Sequence, residues 1–434
     1  MPNYTKNTMP NPEMQEGMTE ATRLTNAGKL SEATAAIQRA LGSPLGNPLG
    51  NPLGGPLGDY MPAQGGVRVE DPPASSGPKG PKARPDADSM VSRLLDLPDS
   101  LTRDIFRREA SMEGVPEGVI PHAPEPGAPG VGPQTAGRFV SGSYTNRSGT
   151  RGYKLYIPGG TNGEPLPLLV MLHGCTQNPD DFAAGTRMNT LAESGNFFVV
   201  YPEQTSSSNM NKCWNWFNAG DQHRDQGEPS IIAGITHQIA ATQPVDTKRI
   251  YVAGMSAGAA MAVILGETYP DLYAAVGVHS GLAYGAAHDL PSAFGAMQGG
   301  AGASGASARP EAVDLARTVP AIVFHGDRDS TVNRRNAEQV LNQKLSGLRG
   351  PATPQATPRT TPRATVRQGQ VRGGRSYTHS VYRTADEDPV AELWIVHGAG
   401  HAWSGGSPQG SYTDANGPDA SIEMVRFFLD HPRG

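Results

Sequence analysis

The densest chemistry in the chain stands at Ile250-Tyr-Val-Ala-Gly254-Met-Ser256-Ala-Gly258-Ala-Ala, a glycine-flanked serine between an apolar run and a run of small residues. A G-x-S-x-G segment preceded by a strand and followed by a helix is the pattern of a nucleophile elbow, a turn tight enough to hold the serine hydroxyl clear of the backbone. Glycine on both sides lets strand and helix approach. A hydroxyl is a weak nucleophile until a base takes its proton, so a histidine oriented by a carboxylate has to come from elsewhere in the chain. Two later apolar runs end in such residues: Ala321-Ile-Val-Phe324-His325-Gly326-Asp327-Arg328-Asp329, and Ile395-Val396-His397-Gly-Ala-Gly400-His401-Ala-Trp403.

Ser256, Asp329 and His401 follow the Ser…Asp…His chain order of α/β-hydrolases, a check that the five-residue motif does not itself contain. Asp327 lies nearer its strand, where a short acidic side chain often bonds the loop backbone, so Asp329 is the expected acid. His397 continues its strand directly and reads as structural. His401 stands beyond a flexible Gly-Ala-Gly and is the expected base. In Leu169-Val-Met-Leu172-His173-Gly174-Cys175-Thr176-Gln177, an apolar run again ends in His-Gly. Such a loop supplies one oxyanion-hole amide and the residue after the nucleophile supplies the other, which makes the backbone amides of Cys175 and Ala257 the candidates. His173 precedes the serine and is expected to shape its loop by bonding backbone. Trp214 and Trp216, beside Cys213, and Trp403, two residues after His401, are candidates for lining an acyl pocket, with ordinary packing as the alternative. The His, Asp and Cys residues lack metal-ligand spacing, so neither a metal nor another cofactor is expected.

These residues need a scaffold. Strand-like runs (Tyr153 to Ile157, Leu168 to Leu172, Phe197 to Tyr201, Ile250 to Ala253, Ala274 to Val278, Ala321 to Phe324, Leu393 to Val396) alternate with helical ones (Ser230 to Thr242, Ala257 to Thr268, Asn333 to Leu345, Asp419 to Leu429). Apolar strands alternating with helices predict an α/β fold, a mostly parallel sheet covered by helices on both faces. It is expected over residues 136–434. An insertion near 346–375, rich in Thr, Pro and Arg, is expected to be disordered. From Leu341 to Ala385 there are eight basic residues and no acidic one; a solvated loop is the expected reading, a contact to a polyanion or membrane surface the alternative.

Gly 54 and Pro 39 in 434 residues signal that part of the chain is not core. They concentrate before the sheet. Residues 1–42 carry helical apolar spacing from Met14 to Leu41, and residues 43–135 are expected to be flexible, with the repeat PLGNPLGNPLGGPLG and an amphipathic helix near 89–113. Charged residues are 18% and net charge is -5, which argues against a dedicated nucleic-acid binder. No apolar run reaches about 18 residues, so no transmembrane helix is expected. The start MPNYTKNTMPNPEMQEGMTE lacks a basic n-region and an apolar h-region, so no Sec signal is expected; the cytoplasm is the expected compartment, secretion by another route the alternative.

Five motifs in register, Leu172-His-Gly-Cys-Thr-Gln177, Tyr201-Pro-Glu-Gln204, Cys213-Trp-Asn-Trp-Phe217, Gly254-Met-Ser-Ala-Gly258 and Tyr412-Thr-Asp followed by Gly417-Pro-Asp-Ala420, together resemble the poly(3-hydroxybutyrate) depolymerase family of esterases. The resemblance covers about Ser141 to the C-terminus. It implies an α/β-hydrolase fold and cofactor-free hydrolysis of carboxylic esters, with relatives acting on polyhydroxyalkanoates, feruloyl esters and acetylated xylan. It assigns Ser256, Asp329 and His401 to a triad and the amide of Cys175 to the oxyanion hole. Because Cys175 and Cys213 each fall inside a matched motif, it also implies a disulfide between them, with free thiols in a reducing cytosol as the alternative. The expected substrate is a polyhydroxyalkanoate, poly-3-hydroxybutyrate or its oligomers, with a polyester surface as an expected partner. The alternatives are a feruloyl or acetyl-xylan ester and, in another class, a polymer-granule binding protein on an inactive hydrolase scaffold.

Overall fold

The computed structural model of the chain describes residues 136–299, 319–348, 362–384 and 387–434. The expected helical segment 1–42, the flexible stretch 43–135 with its amphipathic helix near 89–113, and residues 349–361 of the insertion lie outside them.

In chain order the elements are β1 (Arg138–Asn146), β2 (Gly149–Ile157), β3 (Leu166–Leu172), α1 (Pro179–Thr186), α2 (Met188–Gly195), β4 (Phe198–Pro202), α3 (Gly227–Thr242), β5 (Val245–Met255), α4 (Ala257–Thr268), β6 (Ala275–His279), α5 (Leu290–Met297), β7 (Ala321–Gly326), α6 (Arg335–Leu348), β8 (Arg363–Gln370), β9 (Ser376–Arg383), β10 (Pro389–Val396), the short β11 (Trp403–Ser404) and β12 (Thr413–Asp414), and α7 (Ala420–Leu429). Ten strands form one sheet in the order β1-β2-β4-β3-β5-β6-β7-β10-β9-β8. From β4 to β10 every neighbour is parallel, while β1, β2, β9 and β8 pair antiparallel at the two ends.

The central strands are apolar throughout because both faces of the sheet are covered. β3 reads LPLLVML with every residue buried. Side chains alternate across a strand, so Leu168, Val170 and Leu172 enter one core while Leu169 and Met171 enter the other. α4 packs into the first core, and its sequence AGAAMAVILGET is buried nearly all round, as a helix without a polar face must be. α7 covers the opposite face with Met424, Val425, Phe427 and Phe428. Each fully buried Leu, Ile, Val or Phe contributes roughly 1.5–3 kcal/mol relative to exposure. The predicted parallel α/β sheet is therefore the observed one.

The insertion departs from expectation. Residues 346–375 were expected to be disordered, yet α6 runs to Leu348 and Arg363–Gln370 is a strand, paired with β9 from Arg363↔Arg383 to Gln370↔Ser376. A left-handed Gly373, φ 70°, lies in the turn that closes the hairpin. Nearly every β8 side chain is exposed, so no apolar alternation marks the strand; its ladder of backbone bonds needs none. Among the described residues no helix is long and apolar enough to cross a membrane.

Candidate active site

β5 ends at Met255, α4 starts at Ala257, and Ser256 between them has φ 56° and ψ -120°. A residue with a Cβ held at positive φ costs on the order of 1–3 kcal/mol and persists only where the surroundings over-determine it. Here they do. The Ser256 amide donates to His279 O at 2.9 Å, and Ser256 O accepts from the Ala260 amide at 3.0 Å. A Cβ at Gly258 would lie 2.1 Å from Leu172 O and 2.5 Å from His173 O; one at Gly254 would lie 2.4 Å from the Gly258 carbonyl carbon. Both glycines are thus fixed by close approach of β3, β5 and α4.

The carboxyl of Asp329, fully enclosed, faces the ring of His401: His401 Nδ1 donates to Asp329 Oδ2 at 2.7 Å. Oδ1 accepts the amides of Thr331 at 2.9 Å and Val332 at 2.8 Å. Burial pushes this carboxyl up, but the bond and charge of His401, then His325 and the Val332 amide, hold it below its ordinary value. With Nδ1 committed, His401 Nε2 has no partner among the described residues, which leaves it free to accept a proton. The Ser256 hydroxyl makes no hydrogen bond to this ring in the structure, and catalytic bonds of this kind often close only around substrate. Both loops are tied to one residue. His279 accepts the Ser256 amide at its carbonyl, and its Nε2 accepts the amide of Ser404, three residues after His401, at 2.9 Å. Burial lowers the His279 pKa to about 3, so its ring is a neutral spacer stacked on Trp403 at 5.0 Å.

A second pair stands alongside. His397 Nδ1 donates to Asp327 Oδ2 at 2.9 Å, and its Nε2 bonds Thr378 Oγ1 at 2.9 Å. Asp327 Oδ1 accepts the Gly398 amide at 2.7 Å. Asp327 does bond loop backbone, and His397 is occupied at both nitrogens.

The loop after β3 is held from three sides. Cys175 is joined to Cys213 by a disulfide. The Gly174 amide donates to Gln177 Oε1 at 2.9 Å, and Gln177 Nε2 donates to Asp181 Oδ2 at 2.9 Å. His173, as expected, bonds backbone: Nδ1 donates to Gly174 O at 2.8 Å and Nε2 accepts the Gln204 amide at 3.1 Å. Burial lowers its pKa to about 4, which keeps that tautomer neutral. Gln204 Nε2 donates to Cys213 O at 2.9 Å and also to Glu228. Glu228 further accepts from Arg151 Nη2 at 3.1 Å, the Asn215 amide at 2.7 Å and Asn215 Nδ2 at 2.8 Å. Sequence reading passed over Glu228, because an acid in the first turn of α3 is what any helix N-terminus favours. Within this frame the amides of Cys175 and Ala257 have no acceptor among the described residues. Ala257 opens α4, where helix N–H groups are unpaired by construction.

The disulfide closes a loop of sequence separation 38. By chain entropy it stabilises the fold by about 4 kcal/mol. Reduction is therefore expected to shift a urea unfolding midpoint clearly downward; coincident curves with and without reductant would show that the bond carries no load.

The tryptophans correct an expectation. Trp214, Trp216 and Trp403 are 0%, 6% and 1% exposed, so none of them lines an open pocket. Trp403 Nε1 donates to Ser421 Oγ at 3.0 Å and its ring meets Phe182 edge-on at 5.4 Å; Trp214 packs against His173 at 5.8 Å. Closeness in sequence to a reactive residue does not decide which way a ring points, and rings of this size favour burial. Among the described residues no group of three or more His, Cys, Asp or Glu is placed to hold a metal ion.

Residues 151–360 match the family model described as Esterase PHB depolymerase; the match takes in Ser256 and Asp329 and ends before His401. A poly(3-hydroxyalkanoate) depolymerase C from Paucimonas lemoignei is 33% identical over 286 residues, 64% of this chain and 63% of that protein. A feruloyl esterase B from Thermothelomyces thermophilus is 28% identical over 200 residues, 44% of this chain and 67% of that one. An acetyl xylan esterase structure from Aspergillus awamori overlays at a TM-score of 0.47 and 19% identity, covering 67% of this chain and 99% of that chain. The chain thus spans a little under two thirds of the length of the depolymerase it matches. Through the region that begins at Arg151 and carries the elbow and the acid loop, the chain is similar to the esterase PHB depolymerase family.

Proposed function

We propose that the protein is a serine esterase that hydrolyses carboxylic esters, with a polyhydroxyalkanoate such as poly-3-hydroxybutyrate, or its oligomers, as substrate. The observation that carries this reading is the His401 ring, bonded through Nδ1 to the enclosed Asp329 carboxyl with Nε2 left open, in a loop tied through His279 to the Ser256 elbow. Ser256 Oγ attacks the ester carbonyl while His401 Nε2 takes its proton, and Asp329 fixes the tautomer and stabilises the imidazolium. The amides of Cys175 and Ala257 receive the developing oxyanion. His401 returns the proton to the departing alcohol, leaving an acyl group on Ser256 that water, activated by the same ring, releases. The substrate choice is supported by the longer and closer match to the depolymerase, 33% over 286 residues, than to the feruloyl esterase, 28% over 200.

The test is a panel of p-nitrophenyl butyrate, amorphous poly-3-hydroxybutyrate and methyl ferulate, run with fluorophosphonate labelling and peptide mass mapping. The expected result is one label per chain on Ser256 and release of 3-hydroxybutyrate in excess of ferulate. Preferential release of ferulate would move the substrate to the plant-wall ester, and polymer binding with neither label nor turnover would leave the hydrolase domain as a scaffold.

A further inference from the structure

Five large hydrophobic side chains are exposed among the described residues, and two of them, Met210 at 71% and Tyr412 at 40%, stand on segments hydrogen-bonded to Thr176, the residue that follows Cys175. Val140 and Val366, by contrast, sit in the outermost strands β1 and β8. Thr176 Oγ1 donates to Cys175 O at 2.6 Å, which leaves its oxygen to accept from the Tyr412 hydroxyl at 3.2 Å. The Thr176 amide donates to Asn211 O at 2.7 Å, beside Met210. From the other direction, Tyr412 O accepts the Trp403 amide at 2.7 Å, two residues from His401. Tyr412 therefore spans the base loop and the oxyanion loop.

Its placement is costly to the backbone. Tyr412 has φ 53° and Thr176 φ 65°, a left-handed conformation rare for a bulky residue and an outlier for a β-branched one. The preceding residue is clamped to hold it: the Ser411 amide and hydroxyl donate to Asp181 at 2.8 and 2.6 Å, and Ser411 O accepts from Gln177 Nε2 at 3.2 Å. Strain that served packing would end in a buried ring. Here it holds a ring in solvent, over the loop that carries a candidate oxyanion amide, with its one polar atom already bonded.

From this we infer that Tyr412, with Met210, forms an apolar lip of the substrate cleft that selects esters carrying further chain beyond the scissile bond. This inference rests on the esterase reading. A short ester leaves the lip untouched, whereas an oligoester lays its methyl-bearing units on the ring and the thioether. Tyr412 is a specificity-determining residue with no part in proton transfer.

The experiment compares kcat/KM on 3-hydroxybutyrate trimer and on p-nitrophenyl acetate for the wild type, Tyr412→Ala, Tyr412→Phe and Met210→Ala. Tyr412→Ala is expected to lower the trimer-to-acetate ratio about tenfold, chiefly through KM for the trimer, with about threefold for each of the other two. A purely structural role would depress both substrates together. A ratio within about twofold of wild type in both alanine variants overturns the inference. If the wild type cleaves neither ester, or Ser256→Ala cleaves both as fast, the esterase reading falls with it; an intact ratio in an enzyme that Ser256→Ala silences removes only the lip.

Discussion

Ser256→Ala is expected to lower kcat on p-nitrophenyl butyrate by about a million-fold, to the level that oxyanion donors and binding alone sustain. The elbow explains why nothing replaces the serine. Its amide is spent on His279 O and its carbonyl on the Ala260 amide, so the hydroxyl is the only group of the turn left to react. Alanine accepts the same strained φ of 56° at no greater cost, and the melting temperature is expected to stay within a few degrees of wild type. Retention of more than about a tenth of the rate by a folded variant would falsify the nucleophile assignment.

The two His–Asp pairs allow a sharper test. Asp329→Asn is expected to lower kcat by about ten-thousand-fold, whereas Asp327→Asn should change it less than tenfold. An amide at 329 would present a donor to His401 Nδ1, turn the ring to the other tautomer and leave a proton on the nitrogen that has to accept one. Asparagine at 327 would disturb only a histidine already bonded at both nitrogens. The pH dependence has a defined sign. Burial opposes ionisation of Asp329, but His401 outweighs it and the carboxyl is held below its ordinary value. Its contribution to stability is therefore present above the ordinary carboxylate range and is lost as pH falls through the lowered value, a loss absent from Asp329→Asn. A large rate loss in Asp327→Asn with little in Asp329→Asn would reverse the assignment of the two acids.

Much of this was legible in the chain because the governing constraints are local. Gly254 and Gly258 announce contacts of 2.4 and 2.1 Å that any side chain would violate, and β3 announces its double burial by seven residues with no charge. What was not legible depends on direction or on partners far away. The three tryptophans carry no sequence mark that separates a pocket wall from a core wedge. Glu228 looks like any helix-opening acid until Arg151, 77 residues earlier, is folded against it. β8 exposes its side chains and is held by its backbone, which no hydropathy pattern records. Tyr412 was visible as part of a motif, but its left-handed backbone and its bond to Thr176, 236 residues away, were not.

The arginines of that last strand bear on how the molecule behaves in a crowd. Among the described residues β8 ends the ten-stranded sheet, with one flank of N–H and C=O groups unmatched by another strand, the geometry on which another chain could add itself. β8 itself carries Arg363 and Arg367 and no acidic residue, so a second molecule bringing the same strand alongside would add positive charge to positive. Positive charge along an edge strand disfavours addition of a second copy at the end of the ladder.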